Sequence, residues 1–354
     1  MTNRTKPALA ILLSLLLALM MTACALPSPV PVDDGAPTVA TDFTPSETTT
    51  VQPESGYAVD TTDMMGNAVR LSAFPERIVV LDPADCEILF AIGAGPSVVG
   101  RSLTCDYPAE VNLLPYATAN GKNDPDILLL REPQLVIMGV EDAADTDLVD
   151  TLTASGVAIV VTNVTDVNNM YGAISLLGAV TNHVSEANTL VSKIVTAVAA
   201  MQTKVSEHND TVYLELTPLK EGMTTLGGAT FYSSMIALMG YHNEFEDQEG
   251  LISVTQDQVV GRSPDVILTA EKEPIPDAVT TTPDPAATPD PEAGALHGKA
   301  EILARSEWAT VDAIVNGKVF YFNPALITRA GPRMIEGLDA LYTLLYLNTQ
   351  PEFK

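Results

Sequence analysis

One motif occurs twice in this chain with the same internal spacing, and this repeat constrains the fold more than any other feature. In each copy an aspartate is followed five positions later by an arginine, two positions later by a proline, and two later by an apolar run. The copies are Asp126, Arg131 and Pro133 before 135–137, and Asp257, Arg262 and Pro264 before 266–268. Upstream of each copy, an apolar helical pattern ends in glycine, at Gly93 and Gly240. Repetition of this kind predicts two related lobes.

Short apolar runs alternate with helical patterns in both halves. Ile78–Leu81 suits a buried strand, and it is followed by a helix-like stretch over 86–92 and a second apolar run over 98–100. Continuous apolar runs of this length indicate parallel strands covered on both faces. The sequence therefore predicts an α/β fold of two Rossmann-like lobes, each with a parallel sheet.

A longer helical pattern lies between the two halves. Apolar residues such as Ile194 and Val198 keep helical spacing from Ser185 to Ser206, which corresponds to roughly 33 Å of helix. We therefore expect an N-terminal lobe over 57–166, a connecting helical segment over 167–209 and a C-terminal lobe over 210–350. Ligands usually bind in a cleft at the carboxyl ends of such strands.

The N-terminal residues have the layout of a secretory signal. Arg4 and Lys6 precede an apolar run over 8–23, and Met21–Cys24 resembles the bacterial lipobox. We expect residues 1–23 to be a lipoprotein signal peptide and Cys24 to be the lipidated residue. Residues 24–56, rich in Pro, Thr, Ser and Asp, are expected to form a disordered tether. A second Pro-rich segment, 274–291, is predicted to be a surface insertion.

The charge and the metal-binding residue types exclude several functions. Removing residues 1–23 leaves 16 cations against 45 acidic residues, a net charge of −29, which argues against nucleic acid as a partner. Cys86 and Cys105 are the remaining cysteines, and the sequence leaves open whether they pair or stay free. No Cys-x-x-Cys or His-x-x-x-His spacing occurs, and the four histidines share no ligand spacing, so no metal site is expected.

An ordered series of motifs resembles the iron-siderophore, haem and cobalamin substrate-binding lipoproteins of ABC transporters. The motifs are Pro75–Leu81, Glu87–Gly95, Cys105–Pro108, Pro133–Ile137, Thr225–Gly228 and Gly331–Arg333. The resemblance covers about 57–347, and the 274–291 insertion departs from it. It implies the class III periplasmic-binding-protein fold, in which a single long backbone helix joins the lobes.

The resemblance also implies the function. It predicts an extracytoplasmic protein, lipid-anchored to the cell membrane, that binds a metal chelate and delivers it to an importer's permease and ATPase. The chelate would be cobalamin, a ferric siderophore or haem, and no cofactor of the protein's own is expected. Because cations are scarce, cobalamin or a neutral ferric chelate is favoured over a strongly anionic tricatecholate. The alternative is a lipid-anchored adhesion or scaffold protein. The sequence contains neither a nucleophile elbow nor a phosphate-binding loop, so an enzyme is not expected.

Six residues are candidate ligand contacts because they follow predicted strands. They are Pro83, Asp85, Tyr107, Thr225, Tyr232 and Arg329. The backbone amides of the helix that begins near Asp85 are expected to meet an anionic group, unless Asp85 is simply a helix cap. Tyr107 is expected either to stack on the ligand or to pack under Pro108, and Tyr232 to form an apolar wall. Arg329 is expected to bind a ligand carboxylate.

Asp126 and Asp257 have a different expected role. In the family that the chain resembles, an acidic residue at this place in each lobe docks against arginines of the permease. The repeated motif puts one on each lobe. The alternative is that both are acids favoured by the dipole at a helix N-terminus.

Overall fold

The computed structural model describes residues 58–272 and 296–353. The signal segment, Cys24, the tether and the 274–291 insertion lie outside the described residues. The strands of the first half are β1 (Val59–Thr62), β2 (Ala68–Leu71), β3 (Ile78–Val80), β4 (Val98–Arg101), β5 (Thr118–Ala119), β6 (Lys122–Asn123), β7 (Leu135–Gly139) and β8 (Ala158–Thr162). Its helices are α1 (Pro83–Ala91), α2 (Pro125–Leu129), α3 (Val140–Ala143), α4 (Thr146–Ala154) and α5 (Val167–Val180).

The second half contains a comparable set of elements. Its strands are β9 (Thr211–Glu215), β10 (Thr224–Leu226), β11 (His242–Asn243), β12 (Leu251–Ser253), β13 (Val266–Thr269) and β14 (Val319–Tyr321). The helices are α6 (Val184–Gln202), α7 (Phe231–Leu238), α8 (Gln256–Arg262), α9 (Gly298–Ala304), α10 (Asp312–Val315), α11 (Ala325–Thr328) and α12 (Met334–Leu345). Short 3₁₀ turns lie at Gly95–Ser97, Ala109–Leu113, Leu219–Glu221 and Ser306–Trp308.

The two large sheets have the same strand order. The first is ordered β4-β3-β7-β8 and the second β11-β9-β13-β14, and all neighbouring pairs in both are parallel. Counted along the chain, each sheet is therefore arranged second-first-third-fourth. This confirms the predicted α/β fold of two related lobes with parallel sheets.

The repeated motif has the same backbone shape in both lobes. Asp126 lies in the first turn of α2 and Asp257 in the first turn of α8. The residue between the arginine and the proline takes a left-handed conformation in each copy, with φ of 48° at Glu132 and 54° at Ser263. The identical spacing of the two motif copies therefore corresponds to the same helix–turn–strand unit in both lobes.

The helices α1 and α7 also end alike. Gly93 and Gly240 follow them with φ of 88° and 75°, a conformation that favours glycine. In both, the next residue donates a backbone hydrogen bond to the last helical turn, from Ala94 to Leu89 and from Tyr241 to Ile236. These bonds satisfy carbonyl groups that the helix end leaves free.

Alternate residues of the central strands enter different cores. Ile78 and Val80 of β3 belong to a large core cluster that contains residues of both lobes, whereas Val79 belongs to a cluster on the other face of the first sheet. In the second sheet, Val212 and Leu214 enter the shared core and Tyr213 enters a separate outer one. Each sheet is thus covered on both faces, as the continuous apolar runs predict.

Helix α6 contacts both halves of the molecule. It packs against α5 of the first lobe and α12 at the end of the second. The helix has 19 residues and ends at Gln202, before the Ser206 end that the apolar spacing predicts. Thr203 follows it as the cap residue, and its hydroxyl donates to the carbonyl of Ala200. Val205 continues the apolar spacing and still packs against the shared core from outside the helix.

Candidate functional site

A cavity of about 730 Å³ lies at the carboxyl edge of the first sheet. Residues that follow β3, β4, β7 and β8 line it, together with Thr328 and Ala330 from the second lobe. Parallel strands bring their carboxyl ends to one edge, which is where α/β folds usually bind ligands. The volume is within the range of about 300–1,000 Å³ that is typical of small-molecule sites.

The start of α1 forms one wall of this cavity. Pro83 occupies the first helical position, and Asp82 caps the helix by accepting hydrogen bonds from the backbone nitrogens of Ala84 at 2.7 Å and Asp85 at 3.1 Å. The expectation that these amides meet an anionic ligand group is therefore wrong, because a carboxylate of the protein already occupies them. Asp85 is not the cap either, since it lies inside the first turn.

Asp85 is a buried carboxyl group in the cavity wall. It is 1% exposed, and the one hydrogen bond that the described residues give its carboxylate comes from Thr162 Oγ1, 2.7 Å from Oδ2. Burial, and secondarily the charge of Asp82, raises the pKa of Asp85 well above its usual value. A negative charge at this position is therefore poorly compensated.

Further carboxylates lie beyond β7. Asp142 lines the cavity and accepts a hydrogen bond from Asn123 Nδ2 at 2.7 Å, and burial raises the pKa of its carboxyl group. Glu141 and Asp145 also line the cavity and are exposed. With Asp82 and Asp85, five carboxyl groups belong to the lining.

A cluster of ionic side chains joins the two lobes beside the cavity. We call Glu87, Asp106, Tyr107, Arg329 and Arg333 the inter-lobe cluster. The Glu87 side chain is 1% exposed, and it accepts from Arg333 Nε at 2.8 Å and from Arg329 Nη1 at 3.2 Å. Arg329 also donates to Asp106 at 2.5 Å, and the guanidinium of Arg333 lies 4.1 Å from the centre of the Tyr107 ring. Two arginines of the second lobe thus pair with two carboxylates of the first lobe.

This arrangement corrects the expectation for Arg329. Its guanidinium binds Glu87, Asp106 and the backbone carbonyl of Thr104, so the carboxylates that it holds belong to the protein rather than to a ligand. Tyr107 is 42% exposed, and Arg333 covers one part of its ring. Tyr107 is not among the residues that line the cavity.

Two candidate contacts of the second lobe are buried in its interior. Tyr232 is 0% exposed, and its hydroxyl donates to the backbone carbonyl of Val212 at 3.1 Å. Thr225 is also 0% exposed, because it lies in β10, which pairs with β12 and places Thr225 opposite Ile252. The prediction that Tyr232 and Thr225 line the ligand site is therefore wrong for this arrangement of the lobes.

The glycine pair after β10 serves the protein's own backbone. A side chain at Gly227 would lie 1.9 Å from the carbonyl oxygen of Gln248, and one at Gly228 would lie 2.4 Å from that of Glu246. The close approach that these glycines permit is therefore to the 245–250 segment rather than to a ligand.

The remaining candidates lie as follows. Cys86 and Cys105 are buried free thiols, so the structure holds them unpaired. Asp126 and Asp257 are exposed, one on each lobe. Across 58–272 and 296–353, no cluster of three or more metal-ligating side chains occurs. Within the same ranges, no helix combines the length and apolarity that a membrane span requires.

Sequence reasoning missed three residues of this region. Glu87 was part of a family motif but had no assigned role, and Asp82 and Asp142 were not candidates. Asp82 had a detectable signal, since an aspartate directly before a proline at a helix start is a common cap. Nothing local in the sequence indicates that Glu87 meets arginines more than 240 positions away.

Comparison with known proteins adds to this geometry. A family model described as periplasmic binding protein matches residues 78–326. The chain is 26% identical over 302 residues to the uncharacterized ABC transporter substrate-binding lipoprotein YvrC of Bacillus subtilis, covering 84% of this chain and 88% of that one. It is 26% identical over 198 residues to a vitamin B12-binding protein of Yersinia pestis, covering 54% of this chain and 69% of that one.

A similar fold is present in the periplasmic haem-binding protein HutB of Vibrio cholerae. The TM-score is 0.61 at 21% sequence identity, and the alignment covers 77% of this chain and 99% of that one. This similarity concerns the fold, which agrees with the two parallel sheets and the linking helix described above.

Proposed function

This chain belongs to the periplasmic binding protein family, and we propose that it is the lipid-anchored substrate-binding component of an ABC importer for a metal chelate. Proteins of this family are components of transport systems rather than enzymes. The proposed ligand is a chelate of the cobalamin, ferric siderophore or haem kind, which the protein releases to a permease and ATPase complex.

The observation that carries this proposal is the cavity at the carboxyl edge of the first sheet. Its lining comes from all four strand ends of one lobe and from Thr328 and Ala330 of the other, so a ligand there would contact both lobes. Pro83 and Asp85 remain proposed contacts because both line this cavity. The vitamin B12-binding and lipoprotein names of the relatives support the ligand class and the anchor.

The proposed anchor and location rest on the sequence. Cys24 follows small residues at the end of an apolar N-terminal run, which supports lipidation after removal of residues 1–23. One lipid chain binds a membrane only reversibly, and a second chain makes the attachment stable. The described lobes would then lie outside the cytoplasm.

Asp126 and Asp257 are the proposed contacts with the permease. Both are exposed, and both occupy the same place in the first turn of equivalent helices, α2 and α8. Acidic side chains on separate lobes would give a permease with two arginine sites a two-point contact. The electrostatic complementarity would favour the correct orientation on docking.

A binding experiment with a cavity variant tests the proposal. Cyanocobalamin, a ferric trihydroxamate and haem are titrated into the purified protein while heat and intrinsic fluorescence are recorded. We expect saturable binding of one chelate class, and we expect Ala84→Leu to weaken it at least about tenfold by filling part of the cavity. Ala154→Leu, at an exposed position at the end of α4, is the matched control.

One outcome would contradict this function, and another would contradict the proposed site. If no chelate binds while a partner protein is retained, the lobes serve as an adhesion or scaffold module. If a chelate binds with equal affinity to Ala84→Leu and the wild type, it does not occupy this cavity.

A further inference from the structure

Several carboxyl groups line the cavity. Asp82 and Asp85 lie at the start of α1, after β3, and Asp142 follows the neighbouring strand β7. Burial, and to a lesser extent the charge of Asp142, raises the pKa of Asp82. At the rim, Glu141 and Asp145 add two exposed carboxylates.

The cations near the cavity compensate these charges only in part: Arg329 lowers the pKa of Asp82, but burial raises that pKa more strongly. Lys122, the basic residue among the lining positions, is exposed. Arg329 and Arg333 lie beside the cavity, but their guanidinium groups are bound by Glu87 and Asp106 in the inter-lobe cluster. Five carboxyl groups therefore face one lysine in the lining.

The usual anion-binding element of such folds is also unavailable. The N-terminus of α1 points its amides at the carboxylate of Asp82, so an incoming anion would have to displace a negative charge of the protein. Asp85 follows directly, buried and with a single hydrogen bond to Thr162. A buried carboxylate without a cationic partner is destabilised, because it has lost its hydration and no opposite charge replaces the water.

We propose that this cavity selects its chelate by charge, taking a chelate whose periphery carries a cationic group and excluding those with exposed carboxylates or phenolates. The cationic group would sit among Asp82, Asp85 and Asp142, where it would compensate carboxylates that burial disfavours. This inference rests on the proposed function, and it narrows the ligand class within it. Haem, with two propionates, and anionic catecholate complexes are excluded.

Matched ligand series separate charge from size and shape. One series is ferrioxamine B, which has a free ammonium group, with its neutral N-acetyl and anionic N-succinyl derivatives. The other is a cyanocobalamin derivative with one aminoethylamide side chain, whose ammonium group is peripheral, with neutral cyanocobalamin and an anionic monocarboxylate of cyanocobalamin. Dissociation constants are measured by calorimetry at low and at physiological salt. In the series that binds, we expect the cation to bind at least about tenfold more tightly than the anion, with the neutral member between them.

Variants locate the origin of the preference. Asp142→Asn removes a carboxylate of the cavity wall while keeping an acceptor for Asn123, and Glu141→Gln removes an exposed one with little risk to folding. Both should reduce the ratio of cation to anion affinity several-fold. Asp150→Asn, exposed on α4 and outside the cavity lining, should leave the ratio as in the wild type.

The outcomes distinguish this inference from the function on which it rests. If the anionic member binds as tightly as the cationic one, or if haem binds, charge selection is wrong while chelate binding stands. If the ratio is the same in Asp142→Asn, Glu141→Gln and the wild type, the cavity carboxylates do not cause the preference. If no member of either series and no haem binds, the proposed function fails, and this inference falls with it.

Discussion

At the scale of single residues, Asp85 occupies the least favourable electrostatic position in the cavity wall. Its carboxyl group is buried at the start of α1, and burial and the charge of Asp82 raise its pKa. Among the described residues, the hydroxyl of Thr162 donates a hydrogen bond to this carboxylate and favours its charged form. A residue that weakens the fold in this way fits a role in binding, where a ligand supplies the missing charge.

This position leads to a prediction about pH. Because burial raises the pKa of Asp85 in the folded state, its carboxyl group lowers the stability at every pH above its usual pKa, and this cost grows as the pH rises towards the raised pKa. The cost is relieved as the pH falls from that raised pKa towards the usual value of 3.8. Asp85→Asn should therefore raise the free energy of unfolding at pH 7, and its advantage over the wild type should shrink as the pH falls.

Urea unfolding of both proteins between pH 7 and pH 4 measures this difference. Asp150→Asn, an exposed carboxyl group on α4, serves as the control and should show no comparable trend. A lower stability of Asp85→Asn at pH 7 would mean that the carboxylate is compensated in the folded protein by a partner other than Thr162.

The residue scale is also where sequence reasoning was least successful. The sequence predicts a carboxylate partner for Arg329, but which carboxylates Arg329 and Arg333 bind depends on how the two lobes meet. Glu87 lies on a helix that is apolar on either side of it, and its arginine partners are 242 and 246 positions away. Thr225 is buried because β10, a strand that the sequence did not predict, pairs with β12, and Tyr232 is buried because α7 packs it into the shared core.

At the scale of helices and strands, the sequence was far more informative. Continuous apolar runs predicted parallel strands such as β3 and β7, because only a sheet with two covered faces buries every residue of such a run. The repeated motif predicted equivalent units, and the left-handed residues Glu132 and Ser263 match in both copies. The end of α6 was placed too late, since apolar spacing continues to Val205 after the helix has ended.

The matched helix ends permit a controlled test of backbone strain. Gly93 and Gly240 have similar positive φ, but their surroundings differ. A side chain at Gly93 would meet only the His183 ring, at 3.6 Å, whereas one at Gly240 would lie 2.2 Å from the carbonyl oxygen of Ser206. Gly93→Ala should therefore cost about 1–2 kcal/mol of unfolding free energy from the left-handed conformation alone.

Gly240→Ala should cost clearly more than Gly93→Ala, because the backbone at Ser206 has to move as well. Chemical denaturation of the two variants beside the wild type compares them. Equal losses would show that the segment after α6 moves freely enough to accommodate a methyl group, contrary to the close contact described here.

At the scale of the whole molecule, the two lobes share one core. The shared cluster includes Ile78 and Leu135 of the first sheet, Ile194 of α6 and Val212 of the second sheet. The inter-lobe cluster adds a second connection on the cavity side, through Glu87 and the two arginines. The lobes are therefore held both by apolar contacts and by buried charges.

Removing Glu87 separates these two contributions. Glu87→Ala leaves Arg329 and Arg333 without their buried partner and should lower the free energy of unfolding by about 3–5 kcal/mol. Thermal unfolding should nevertheless remain a single transition, because the shared core still couples the lobes. Scanning calorimetry of the variant, with exposed Glu207→Ala as the control, measures both quantities. Two resolved transitions in Glu87→Ala would mean that the ion cluster, rather than the core, couples the lobes.

The common strand order of the two sheets has an evolutionary consequence. Two copies of one ancestral half, related by gene duplication, would begin with equivalent edges and equal opportunity to hold a small molecule. Here the copies have diverged, because the first keeps an open edge, while in the second the end of β9 is filled by Glu215, held by Arg305 at 2.6 Å. A cargo in the cavity would therefore lie against the strand ends of the first copy, and the second copy would border it through Thr328 and Ala330.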